Sequence, residues 1–305
     1  MDVSNWKARM YWALIFASVG SGCREPPPPP LAGCLIYAGS IGEISFEDLA
    51  SGEIQDARWL PILGFDSVRP GPAGTVLCSG QDSSDHSYEA TVFQIDPVQR
   101  RVLRKWRGSE GVYIAQKNLV AYVAGPDKTV YLAPLERPRV RQVCSRAALA
   151  SYARAGKQAT LVPCLEGAVC YVDGEVDRFA VCDVDEGGSI RVRFGAEARG
   201  CVPIAWRTRA GRLLYTCGGR GVAQIDLRDP DGEGEVLVAE MDARWEPAYD
   251  PEQDFLVWGR RGYLERPFRE WVFLGPDPKV VVSRGRMFGS GYVQPGRCPS
   301  IATGR

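Results

Sequence analysis

The 305-residue sequence contains one histidine, His86, and no excess of either charge: 37 lysines and arginines balance 37 aspartates and glutamates. A single imidazole rules out His-rich metal sites and mechanisms built on several histidines. Zero net formal charge argues against a nucleic-acid or polyanion partner, which calls for a basic excess. No C-x-x-C pair is present, so a zinc site of the usual spacing is not expected. A G-x-S-x-G elbow, a phosphate loop and a dinucleotide fingerprint are also missing. The sequence therefore implies no cofactor and no catalytic constellation.

What is abundant is turn chemistry. Gly 34 and Pro 22 make about 18% of the chain, against roughly 12% on average. That suits an all-β protein.

Residues 1–22 read as an export signal. Lys7 and Arg9 form a short basic start, and Met10 to Val19 is a ten-residue apolar stretch. A helix of that length covers about 15 Å, half of a bilayer core, which fits a signal-peptide segment rather than an anchor. Gly20-Ser21-Gly22-Cys23 follows, and it resembles the lipobox of bacterial lipoproteins. The resemblance implies diacylation of Cys23 and cleavage before it. Gly20 departs from the leucine usual three places before the cysteine, which leaves ordinary signal cleavage, or none, as alternatives. Residues 23–32 include Pro26 to Pro30, an extended tether of about 3.1 Å per residue. Arg24 is not the aspartate that resembles an inner-membrane retention signal. The expected location is thus the outer membrane of a cell envelope, with a periplasmic or secreted protein as the alternative.

Residues 33–305 read as one repeat domain. Short apolar runs end near Gly39, Gly80, Gly125, Gly167, Gly218 and Gly259, at intervals of 41, 45, 42, 51 and 41 residues. Each run has the length and β-propensity of a buried strand. An alternating strand and then a more polar one follow each run, and charge on an outermost strand discourages edge pairing. Asp48, Asp96, Asp183 and Asp226 stand where the next turn begins. A further strand precedes the run, best seen at Pro203 to Trp206 and Pro247 to Glu252. Four strands at a period near 42 predict a six-bladed β-propeller of four-stranded antiparallel blades. The 51-residue interval predicts an insertion in blade four, between Gly167 and Asp177. Blade one begins at its second strand, so its missing first strand is expected from Phe288 to Val293, closing the ring by pairing the two ends of the domain.

The segment Ala248 to Val257 resembles the turn of TolB-like and WD40-like propeller repeats, and Asp48-Leu49-Ala50-Ser51-Gly52 is similar to it. The likeness covers roughly residues 33–300. The WD and GH pairs of true WD40 proteins are absent.

Ten cysteines agree with an oxidising compartment. The register places Cys201 opposite Cys217 and lets Cys34 meet Cys298 at the closure. It also suggests Cys170 with Cys182 and Cys144 with Cys164, leaving Cys78 as a buried thiol.

Three other groups invite a functional reading. His86 sits in the polar stretch Gln81 to Ser87, the composition of an exposed loop. Asp229 to Glu235 and Asp183 to Gly188 alternate carboxylates with glycine as calcium loops do, but they occupy inter-strand turns and lack the full ligand set. Trp59, Trp106, Trp206, Trp245, Trp258 and Trp271 are expected to fill the wedges between blades rather than bind ligand. The sequence therefore points to a non-enzymatic module, held to a membrane by its N-terminus, that presents loops to a protein partner or envelope component. The alternative is a hydrolase or lyase with a carboxylate-lined channel mouth.

Overall fold

A computed structural model describes residues 31–299, apart from 39–42, 61, 85–88, 138–140, 149, 153–155, 165–166, 186–187, 219, 230–231, 240–246, 261–267, 275–278 and 285–290. The segment read as an export signal, Cys23 and most of the segment read as a tether lie outside the described residues.

Six four-stranded antiparallel sheets form a six-bladed propeller. Blade one contains β1 (Cys34–Ala38), β2 (Ile44–Asp48) and β3 (Ile54–Ala57). Blade two is β4 (Ile62–Pro70), β5 (Val76–Asp82), β6 (Ala90–Asp96) and β7 (Arg101–Arg107). Blade three is β8 (Ser109–Ile114), β9 (Leu119–Ala124), β10 (Thr129–Pro134) and β11 (Gln142–Arg146). A separate hairpin of β12 (Ala150–Tyr152) and β13 (Gly156–Gln158) comes next. Blade four is β14 (Val162–Cys164), β15 (Ala168–Val172), β16 (Arg178–Val184) and β17 (Ile190–Glu197). Blade five is β18 (Cys201–Arg207), β19 (Arg212–Cys217), β20 (Arg220–Ile225) and β21 (Glu235–Val238). Blade six is β22 (Ala248–Asp250), β23 (Phe255–Arg260), β24 (Phe268–Phe273) and β25 (Lys279–Arg284). The last strand, β26 (Gly291–Gln294), returns to blade one and pairs with β1, Ile36 opposite Tyr292. The ring closes by strand exchange, as the strand count requires.

The reason the second strands are continuous apolar runs is visible in the packing. Side chains alternate across a sheet, and here both faces meet a neighbouring blade. Cys34, Ile36 and Ala38 of β1 pack toward blade two, while Leu35 and Tyr37 pack toward blade six. Val76 and Cys78 of β5 face blade one, and Leu77 faces blade three. Six apolar clusters fill the six wedges between blades. Outer strands bury only one face at most: β7 exposes Arg101, Lys105 and Arg107.

Blade four departs from the expected register. Leu161 to Gly167 contains the innermost strand β14, and the second strand is β15. Leu161 and Val162 are as buried as any second strand, and the return to β15 is very short. Two strands therefore read as one apolar run. The extra residues are the β12–β13 hairpin between blades three and four, not an insertion between Gly167 and Asp177.

The same shift corrects two sulfur pairs. Cys164 bonds Cys170 diagonally across the β14–β15 hairpin, and Cys144 of β11 bonds Cys182 of β16, joining blade three to blade four. Cys201 faces Cys217 across β18 and β19 and is bonded to it. Cys34 is bonded to Cys298 at the closure. Cys78 is a free, buried thiol, and burial pushes its pKa upward. Four disulfides match the chemistry of a compartment outside the reducing cytosol.

The turn aspartates act as side-chain acceptors. Asp48 Oδ1 accepts from the amides of Ala50 and Ser51, and Asp96 Oδ1 from Val98 and Gln99. Asp226 Oδ1 accepts from the Arg228 amide, and the Arg228 guanidinium holds its carboxyl down at about 2. In blade four this position falls to Asp185, which accepts from Ser189, because Asp183 lies inside β16.

Candidate binding site at the channel mouth

The innermost strands β26, β4, β8, β14, β18 and β22 surround the ring axis, and all six contribute to one cavity of about 530 Å³ at a channel mouth. Its wall carries Tyr292 from blade one, Tyr113 from blade three, Pro163 from blade four, Ile204 and Trp206 from blade five and Tyr249 from blade six. Arg69 of blade two is the one charged group among the residues lining it, and it is only 8% exposed. Among the described residues, no aspartate or glutamate lines it.

Local irregularity shapes this wall. In β18 the register moves between Pro203 and Ala205, so Ile204 is an extra residue that turns toward the cavity. Bulges of this kind re-aim a side chain out of the regular pleat.

The rim between blades five and six is fixed by ion pairing. Arg207 Nε donates to Asp254 Oδ1 and Oδ2 at 3.0 and 3.1 Å, and its Nη2 donates to Oδ2 at 2.6 Å. Its Nη1 donates to Gln224 Oε1 at 2.9 Å. The Tyr249 hydroxyl donates to Asp254 Oδ1 at 2.9 Å. Burial and the Asp254 charge push the Tyr249 phenol upward, and burial pushes the Tyr292 phenol up as well. Both stay protonated at neutral pH, so neither serves as a base. The Tyr113 hydroxyl donates to Asn118 Oδ1 at 3.2 Å. A rigid, apolar and aromatic concavity of this kind suits binding.

The tryptophans divide as follows. Trp106, Trp258 and Trp271 are buried within the wedges, and Trp59 packs partly buried against the wedge of blades one and two. Trp206 is half-buried and stands at the mouth, the one tryptophan among the described residues that lines it. Trp245 and His86 lie outside the described residues, as do 230–231 of the acidic turn between β20 and β21. The mouth was missed in the sequence because its residues come from six separated strands. The available signal was a tyrosine, tryptophan or proline at the end of each inner strand.

No family model and no curated protein matches the chain. Solved structures do resemble it. TolB from Acinetobacter baumannii superposes with a TM-score of 0.56 at 15% identity, over 92% of this chain and 70% of that one. A chain of a nidogen/laminin complex gives 0.53 at 11% identity, over 88% and 100%. The β-propeller domain of Cps50 (Swd1) from Myceliophteria thermophila gives 0.50 at 13% identity, over 88% and 91%. At such identities the likeness establishes the fold, a β-propeller, and nothing about ligands.

Proposed function

We propose that the protein is an exported, non-enzymatic propeller, anchored by lipid on Cys23, that holds a protein partner or envelope component at its channel mouth. The observation that carries this reading is the mouth itself: an apolar and aromatic cavity built by all six blades, with no carboxylate among the described residues of its wall. Rigid blades with variable inter-strand loops present such a surface at little ordering cost. Support for export comes from the four disulfides, and for anchoring from Ser21-Gly22-Cys23 followed by the proline tether. The anchoring leaflet in this reading is the outer membrane. The enzyme alternative needs acids and bases converging on one mouth; among the described residues lining this one, the charged side chain is Arg69.

A photo-cross-linking residue placed at Trp206 tests the reading, with the same residue at Val236 on an outer strand as comparison. Adducts to an envelope protein at Trp206 and none at Val236 are expected. Adducts at Val236 alone overturn the mouth as the binding surface.

A further inference from the structure

Glu110 in β8 combines four features that set it apart. Its backbone is left-handed, φ 56°, a conformation that glycine tolerates and glutamate does not favour. It lies in a bulge: Ser109 pairs with Val123 and Val112 with Ala121, so Glu110 and Gly111 together oppose Tyr122. It is 4% exposed. Finally, it faces a second bulge on the innermost strand of the next blade, β4, where Phe65 pairs with Gly80 and Ser67 with Ser79, leaving Asp66 as the extra residue. Strain and the burial of an acid at one blade junction are costly together, and such features persist where they serve a purpose.

The surroundings of Glu110 are sparse in charge. From β4 come Arg69 and Asp66, which act on it in opposite directions. Lys128, in the β9–β10 turn, acts on Asp66. β5 presents Ser79, whose Oγ accepts from the Gly111 amide at 3.1 Å. β6 presents Val92 against Gly111, and β9 presents the Tyr122 phenol beside Gly108. In β14 the sulfur of Cys164 is already disulfide-bonded.

We propose that the junction of blades two and three is a proton-operated closure: protonated Glu110 lets β8 pack against β4, and loss of that proton loosens the junction. Burial in this wedge favours the neutral carboxyl over the carboxylate. Burial pushes the Glu110 carboxyl up to about 7 from an ordinary value of 4.5, with Asp66 adding to the rise and Arg69 opposing it. Because the folded chain holds this proton more tightly than the unfolded one, the stability it contributes is fully present below pH 4.5 and is lost as pH rises through 7. The folding equilibrium weakens on the order of 100-fold over that window from this group alone.

The test compares thermal midpoints of the wild-type protein and Glu110→Gln between pH 5 and 8.5. The amide is a neutral isostere of the protonated acid, and His86, common to both proteins, cancels in the difference. The wild-type midpoint is expected to fall relative to the variant as pH rises through 7, and amide exchange at Gly111 and Val112 to accelerate beyond the solvent effect. Independently of the variant, ¹³C NMR of the glutamate carboxyls should show one titrating near 7. Parallel stability curves, or all glutamate carboxyls titrating near 4.5, would overturn the proposal.

Discussion

Arg269 of blade six places both terminal nitrogens on the Glu47 carboxylate of blade one, at 2.6 and 2.7 Å, across the seam where the ring closes. Arg269 is 1% exposed, and its guanidinium lies 5.4 Å from the centroid of the Tyr37 ring. Such a pair cannot lose one member cheaply. Glu47→Gln leaves a buried guanidinium short of charge and is expected to cost about 3 kcal/mol, measured by urea unfolding. The double variant Glu47→Gln/Arg269→Met should recover part of that loss, since it removes both buried charges.

The disulfides with the longest and the shortest sequence separation rank differently. Cys34 and Cys298 are 264 residues apart, whereas Cys164 and Cys170 are 6 apart. In the chain-entropy model the first contributes up to about 5 kcal/mol and the second about 2 kcal/mol. Replacing Cys34 and Cys298 by serine should therefore lower the unfolding midpoint well beyond replacing Cys164 and Cys170. Equal losses would show that the closure does not constrain the unfolded chain.

Much of this architecture is legible in the chain. The phase of the glycines and the continuous apolar runs of β1 and β5 specify blades with two buried faces, and the strand deficit in blade one locates β26. Blade four is where the reading slips. Leu161 and Val162 are buried at an inner strand, where their burial looks no different from that of β15, so pattern alone does not separate the two. The cysteine pairs that depend on blade four slipped with it. The mouth and the Glu110 bulge were not legible, because both arise from side chains on strands of different blades and from register shifts that leave no trace in local composition.

Asp254 holds Arg207 and Tyr249 at the mouth rim with a left-handed backbone of φ 55°. Asparagine tolerates that conformation, so Asp254→Asn isolates the charge. The variant is expected to lose about 2 kcal/mol. Chemical-shift changes should spread from Tyr249 to Gln224 while blades two and three stay unaltered.

Lipid attachment has its own check. Cells given a radiolabelled fatty acid should label the wild-type protein and not Cys23→Ala. Equal labelling of both, or none in the wild type, contradicts the anchor.

The binding reading meets its most direct test in quantitative co-purification from envelope extracts. Lysines are introduced at Gln116 and Thr208, exposed residues that line the mouth, and in a second protein at Val98 and Val236, exposed residues away from it. The account predicts that the mouth variant loses, by about tenfold or more, a partner that the second variant retains. Undiminished recovery with charge in the mouth, or loss only when the outer positions are changed, would contradict it.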